Sequence, residues 1–396
     1  MIDSLNFVFL NDNMDISNGE GVYSRRGPFL HYIEANNISR TFDSKLKEGY
    51  RNVLLIEIDS GGYSVKDIPR GLIQFINEND IKLIIAGLPD PTAKETYQFS
   101  LTTLNSKNLD FNKLIYIDTN LQLSQIKTPF PHKVFTFNFF IEEALWSKQS
   151  LYDHTNELEY VSEPILPEEL NTFRNKKFLC FNRSLDKAHR FMLLEEYLKG
   201  TFNDSYFSFI RPIDYATENR LFYEQYYGVE LADNLVDDYN KHIPIELDTH
   251  KTENKYSFRV SNTLKKELFL DSCINLVTET TFTKNELFLS EKILKPILSY
   301  QPFIVFGPQG YLKELRKYGF KTFSDFWDES YDDIENSVDR MKALLSLVKA
   351  LNNKSIEELN DIYKSTIDIC AHNRNLFYSL EIDTLKVILE EIKNEW

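Results

Sequence analysis

The chain has 396 residues, 60 Asp and Glu against 45 Lys and Arg for a formal net charge of −15, and a hydrophobic content of 42%. That apolar content fills cores and excludes wholesale disorder. The surplus of negative charge disfavours broad adhesion to nucleic acid or anionic lipid while leaving room for a local basic site.

At about 150 residues per domain, the length predicts two or three globular units. The runs NFVFL (6–10), VLLIEI (53–58), KLIIAGL (82–88), KLIYID (113–118) and KVFTFNF (133–139) are near-continuously apolar, as strands covered on both faces are, and the stretches between them are long enough for crossover helices. This is the pattern of a parallel α/β sheet. Between about 141 and 175 the sequence turns polar and Glu-rich around Pro164 and Pro167, which places a linker there.

A second α/β series starts at KKFLCFN (176–182), continues with a helix over 186–198, and resumes at INLVTE (274–279), a helix around 291–298, the strand PFIVFG (302–307) and a helix near Tyr311. Residues 200–270 fit neither series and read as helical and loop insertion. From Asp333 onward the periodicity is helical. The expected fold class is α/β, two Rossmann-like domains facing across a cleft with a helical C-terminal tail. The boundaries are 1–150 for the acceptor side, 170–330 for a donor side and 331–396 for the tail.

No run approaches the ~20 apolar residues that cross a bilayer, and MIDSLNFVFLNDNMD lacks the basic start and cleavage site of a secretory signal. Cys180, Cys273 and Cys370 are widely spaced and odd in number, which argues against a disulfide framework or a structural zinc site. A cytoplasmic protein without a membrane span is expected.

The first chemical signal is a local reversal of charge. Between Arg174 and Arg190 stand Arg174, Lys176, Lys177, Arg183, Lys187 and Arg190 against the single acid Asp186. With Asp186 as N-cap of the following helix, Arg183 and Lys187 stand at a helix start and Arg190 one turn along. Free backbone N–H groups and the helix dipole favour an anion there, and guanidinium groups suit phosphate. The other reading is a solvated basic face paired with Glu195 and Glu196.

The second signal is LVTETTFTKNELFLSEKILKPILSYQPFIVFG (276–307). Glu279 follows an apolar strand, and Ser290, Glu291 and Lys292 open a helix. A strand-end carboxylate accepts hydrogen bonds from sugar or ribose hydroxyls, and a lysine at a helix start adds positive charge toward a diphosphate. Alternatively, Ser290 is a plain N-cap with Glu291 and Lys292 on a wet surface.

In order, KFLCFNRSLDKAHRFMLLEEY, INLVTET and FLSEKILKPILSYQPFIVFG resemble the donor-binding domain of GT-B glycosyltransferases, most closely the α-1,3-fucosyltransferase-like group. Residues 312–334 also resemble glycosyltransferase-like proteins of bacteriophages. The resemblance implies a pyrophosphate-binding role for Arg190, a ribose-binding role for Glu291, a phosphate-binding role for Lys292 and a place near the donor sugar for Glu279. Arg183 and Lys187 rest on the charge pattern alone. The family's phenylalanine–glutamate–asparagine–serine motif is here Thr278, Glu279, Thr280 and Thr281, and the stretch before Glu279 is long for the family.

The implied reaction is transfer of a sugar from a UDP- or GDP-linked donor to an acceptor hydroxyl, inverting and without metal or other cofactor, the leaving diphosphate being stabilised by Arg, Lys and helix dipoles. A general base would come from the carboxyl ends of the first-half strands. Asp59, before Ser60, Gly61 and Gly62, and Glu20, between Gly19 and Gly21, stand equal; Asp118 is third. Any of the three is also a plausible cap or turn former. The acceptor is open, a glycan or a modified nucleobase among the choices, the latter with a basic groove from Arg25, Arg26, Lys45 and Lys47. Two other readings stand: a metal-dependent GT-A-type transferase using Glu57 and Asp59, and a non-catalytic or virion-associated protein on a transferase-like scaffold. Asp325, Asp328, Glu329, Asp332 and Asp333 read as a solvated turn.

Overall fold

The computed structural model describes residues 5–8, 32–33, 36–41, 46–58, 65–88, 91–142, 165–212, 217–247, 265–283 and 286–394. They belong to two compact units. The first comprises Met1–Glu142, Glu286–Phe288 and Ile382–Trp396, and the second Glu143–Asn285 and Leu289–Glu381.

The first unit is built on a six-stranded, all-parallel sheet in the order β2-β1-β3-β4-β5-β6. The strands are β1 (Leu5–Val8), β2 (Ser39–Thr41), β3 (Arg51–Ile58), β4 (Ile81–Gly87), β5 (Leu114–Asp118) and β6 (Lys133–Thr136). Five of them coincide with the apolar runs. The edge strand β2, SRT, is short and polar and gave no such signal. Helix α1 (Arg70–Glu78) turns Leu72, Ile73 and Ile76 inward at helical spacing, and α2 (Lys94–Ser106) buries Tyr97, Leu101 and Leu104. Both add to a core with Leu54, Ile56, Leu83, Ile85 and Tyr116 from the sheet.

The second unit has a four-stranded parallel sheet, β10-β9-β7-β8, made of β7 (Lys176–Asn182), β8 (Tyr206–Phe209), β9 (Ser272–Thr278) and β10 (Phe303–Phe306). Strand β8 lies within the stretch expected to be insertion. It pairs with β7, so the chain leaves β7 to one side for β8 and to the other for β9. The strand order therefore reverses between β7 and β9, and the crevice beyond the carboxyl ends at such a point is where open α/β sheets gather ligands. Helices α3 (Ala188–Leu198), α4 (Thr217–Tyr227), α5 (Asp233–Asn240), α6 (Lys266–Asp271), α7 (Leu294–Leu298) and α8 (Tyr311–Lys317) accompany this sheet.

The C-terminal end after Asp333 is helical, as expected. Helices α9 (Ser337–Asn352) and α10 (Ile356–Ser379) fall in the second unit, whereas α11 (Thr384–Asn394) returns to the first. The cause is local. Asn360 of α10 exchanges two hydrogen bonds with the main chain of Arg174, at 2.9 Å each. The backbone N–H of Thr384, at the start of α11, donates to the buried carboxylate of Glu142 at 2.8 Å, and the Tyr32 hydroxyl donates to Asp383 at 2.8 Å. Most of the linker expected over 141–175 lies outside the described residues. No helix among the described residues is long and apolar enough to cross a membrane.

Candidate functional site

The carboxyl ends of β7 and β9 are tied together before any ligand is considered. The Thr278 hydroxyl donates to Asn182 Oδ1 at 2.8 Å, and the Glu279 N–H donates to the carbonyl of Phe306 at 2.9 Å, extending the β9–β10 ladder by one residue. Glu279 thus stands at the strand end beside the reversal point, as its sequence position indicates.

Its carboxylate has no exposed surface (0%) and both oxygens are engaged. Oε1 accepts from the Tyr311 hydroxyl at 2.5 Å and Oε2 from the Ser290 hydroxyl at 2.5 Å. Burial and the adjacent Glu279 hold the Tyr311 phenol well above its ordinary range, so it remains protonated and is the donor. Ser290 also accepts from the Lys292 N–H at 3.3 Å, as an N-cap does. Ser290 therefore caps this turn and also holds the Glu279 carboxylate.

Arg190 reaches the same strand end from α3. It is 6% exposed, and its Nη2 donates to the carbonyls of Glu279 at 2.9 Å and Thr278 at 3.2 Å, with Nη1 to that of Ser184 at 3.3 Å. Its Nε has no hydrogen-bond partner. Burial lowers its pKa, while Asp186 and Glu279 favour the cation, and a guanidinium stays charged. The Glu279 carbonyl is within 3.0 Å of His189 Nε2 as well. A carbonyl only accepts, so Nε2 carries the proton, and burial with the neighbouring Arg190 keeps the imidazole neutral.

Lys292 is the more accessible cation, its side chain 28% exposed, with Nζ at 3.0 Å from Glu291 Oε1 and 3.2 Å from Thr280 Oγ1. Burial pushes the Glu291 carboxyl upward, but Lys292 beside it outweighs that, leaving it below the usual carboxylate range. Arg190, Glu279, Glu291 and Lys292, from stretches about 100 residues apart in sequence, therefore share one end of one sheet.

Three expectations change. The helix after β7 starts at Ala188 with Lys187, not Asp186, at the cap position, and no side chain caps it. Lys187 pairs loosely with Asp186 at 4.0 Å, and Arg183 is exposed. Second, the six cations of 174–190 do not form one cluster: β7, seven residues long, separates Arg174, Lys176 and Lys177 from Arg183, Lys187 and Arg190 by about 20 Å. Third, Glu195 and Glu196 are not the partners of this basic face. Glu195 binds Lys199 at 3.0 Å and Tyr227 at 2.6 Å, and Glu196 binds Lys349 at 2.8 Å.

The acidic stretch near 330 is not merely solvated. Asp332 is buried and caps α8, accepting from the N–H groups of Leu312 and Lys313 at 2.9 and 3.0 Å, and Glu329 accepts from the Phe323 N–H at 2.7 Å. Arg340 of α9 went unnoticed in the sequence. It is buried, stacks on Phe282 at 4.8 Å and donates to the carbonyls of Gly307 and Phe282, so it fastens the loops after β9 and β10. Nothing in its helical context signals this. Tyr311 had a weak signal, the first residue of a helix after a strand and a Gly-Pro-Gln-Gly turn.

In the first unit, Asp59 and Glu20 lie outside the described residues, as do Arg25, Arg26 and Lys45. Asp118, also 0% exposed, holds a turn: Oδ1 accepts from the N–H groups of Asn120 at 2.7 Å and Thr92 at 3.1 Å. Burial raises its pKa to about 7. With no exposed surface it reaches no acceptor hydroxyl. Among the described residues no group of His, Cys, Asp and Glu has the arrangement of a metal site.

The sequence matches no protein-family model and finds no match among curated proteins. Among solved structures the chain is similar to TarM, with a TM-score of 0.38 and 11% identity over 87% of this chain and 54% of that one. A UDP-forming α,α-trehalose-phosphate synthase from Burkholderia xenovorans gives 0.41 and 10% over 99% of both chains. The UDP-GlcNAc 2-epimerase of Neisseria meningitidis gives 0.31 and 11% over 93% of this chain and 99% of that one. The chain spans about half the length of TarM. Similarity at this level carries no functional argument.

Proposed function

We propose that the chain is a glycosyltransferase that takes a sugar from a nucleoside-diphosphate donor, with the diphosphate on the second unit. The observation that carries this is the meeting of Arg190 and Lys292 around Glu279 at the carboxyl ends of β7 and β9, in the order of motifs that resembles the fucosyltransferase-like donor domain. An acceptor glycan and the fucosyltransferase-like grouping belong to the same proposal.

The chain's residues divide the work. Lys292, the uncapped start of α3, Lys187 and Arg183 supply positive charge to the diphosphate. As the bond from the anomeric carbon to the diphosphate oxygen breaks, its electron pair moves onto the diphosphate, where fixed cations lower the barrier. Arg190 holds the backbone of Thr278 and Glu279 and places its buried positive charge behind the strand end. Glu279, fully engaged by Tyr311 and Ser290, fixes the frame on which Lys292 sits, and Glu291 is the carboxylate available for ribose hydroxyls. The acceptor oxygen attacks as its proton passes to a carboxylate, for which Asp59 and Glu20 are the proposed bases.

Calorimetric titration with UDP and GDP tests the reading, followed by mass spectrometry of products from a panel of nucleotide sugars. Binding of one nucleotide, weakened in Lys292→Ala, supports it; absence of binding by either, with no transfer from any donor, overturns it.

A further inference from the structure

Three residues of the first unit stand in the chain just before Ser290 of the candidate site. Glu286, Leu287 and Phe288 belong to that unit, whereas the chain on either side of them belongs to the second. Each is placed by a different contact. The Leu287 carbonyl accepts from the Leu121 N–H at 2.9 Å, and the ring of Phe288, fully buried, lies 6.2 Å from that of Phe140. The buried carboxylate of Glu286 is near enough to Asp118 to raise its pKa. Leu121 in turn follows a stiff corner at the carboxyl end of β5. Asp118 Oδ1 accepts from the N–H of Asn120, whose side chain donates to the Thr92 carbonyl at 2.8 Å and accepts from the Gln122 N–H at 3.1 Å.

Ser290 comes two residues after Phe288, and its hydroxyl holds Glu279 Oε2 at 2.5 Å. Two residues span at most about 7 Å however they bend. Leu289, between them, has no exposed surface, so packed neighbours oppose any swing of its backbone. The chain there has little slack. A hydrogen bond is lost within about 1 Å of travel, so a shift of Phe288 is passed to Ser290 and through it to the Glu279 carboxylate. Lys292 lies on the same path, because its N–H donates to the Ser290 hydroxyl at 3.3 Å.

We infer that Glu286–Phe288 form a short tether that couples the turn after β5 to the Ser290–Glu279 contact, so that loosening one end loosens the other. On the glycosyltransferase reading, on which this consequence alone rests, an acceptor seated at the carboxyl ends of the first sheet alters diphosphate affinity, and the diphosphate alters acceptor affinity by the same factor. The coupling itself is a property of the fold.

Hydrogen exchange of the full chain tests it without any nucleotide, and so apart from the fate of the glycosyltransferase proposal. Asn120→Ala deletes the two side-chain bonds that flank Leu121 and changes nothing in the second unit's own sequence. Protection should fall at the Leu121 amide and, by about 2- to 30-fold, at the Glu279 amide, with the amides of α9 unchanged. Inserting two glycines between Phe288 and Leu289 adds about 7 Å of chain. In that background the Leu121 amide still responds to Asn120→Ala and the Glu279 amide does not. Should the insertion not fold, the reverse measurement decides: Tyr311→Phe, made at the Glu279 end, lowers protection at Leu121 while the β4 amides keep theirs. The inference is overturned by a Glu279 amide indifferent to Asn120→Ala, by a response that survives the glycine insertion, by an equal fall across α9, or by a Leu121 amide unmoved in Tyr311→Phe.

Discussion

Tyr311→Phe isolates one atom on which the candidate site depends. The ring, packed in the core of the second unit, stays, and only the hydroxyl that donates to Glu279 Oε1 at 2.5 Å is lost. A hydrogen bond to a charged group contributes about 1.5–3 kcal/mol, and here the deleted donor leaves a carboxylate oxygen buried and unsatisfied. We expect a loss of about 2–3 kcal/mol, roughly 30- to 150-fold in the unfolding equilibrium. Ser290→Ala removes the shorter of the two bonds to Oε2, at 2.5 Å, leaving the Thr280 N–H at 3.3 Å, together with the cap on the turn at Glu291–Ile293, and is expected to cost a similar amount. Because both hydroxyls serve one carboxylate, the double variant should depart from additivity by more than about 0.5 kcal/mol. Hydrogen exchange at the Glu279 amide, bonded to Phe306 O at 2.9 Å, reads the effect within the second unit without requiring the whole chain to unfold in one step. If Tyr311→Phe protects that amide as well as the parent does, or the two variants add, Glu279 is not held as described.

Lys292→Ala should weaken UDP or GDP binding by about 1.5–3 kcal/mol in calorimetry, the range for hydrogen bonds to charged groups, and leave circular dichroism unchanged. Unaltered affinity removes Lys292 from the donor site. Gly87→Ala places a methyl 2.0 Å from Asp118 Oδ2 and 2.5 Å from Thr92 Oγ1, and the Asp118 side chain is held through Oδ1 by two backbone N–H groups, so the first unit should lose roughly 1–3 kcal/mol or more in urea unfolding; a neutral result means the turn at Asp118 yields freely. Burial raises both Glu142 and Asp118 to about 7. The folded state then holds protons that the unfolded chain has released, so their contribution is complete below the ordinary carboxylate range and is lost as pH rises through about 7. The first unit should therefore weaken as pH rises from about 4 to about 7 and level off above it, and Glu142→Gln should reduce the slope in that window by up to about 1.4 kcal/mol per pH unit. An unchanged slope in that variant contradicts the buried, capping role of Glu142.

The sequence by itself determined the two parallel sheets, because a strand buried on both faces is apolar along most of its length. The LIIAG of β4 and the INLV of β9 carry that requirement openly. It also determined where charge reverses, that Glu279 follows a strand and that Lys292 opens a helical turn. Short or polar elements escaped it: β2 has three residues, and β8 takes its place by pairing with β7 rather than by any pattern of its own. Only the tertiary structure decided which charged groups face outward and which are spent on the backbone. Arg190 on the carbonyls of Thr278 and Glu279, Asp332 on the start of α8, and Glu142 on Thr384 are satisfied by groups 20 to 242 residues away. Propensity and periodicity are properties of neighbours along the chain, whereas a buried polar atom takes whichever partner folding brings to it.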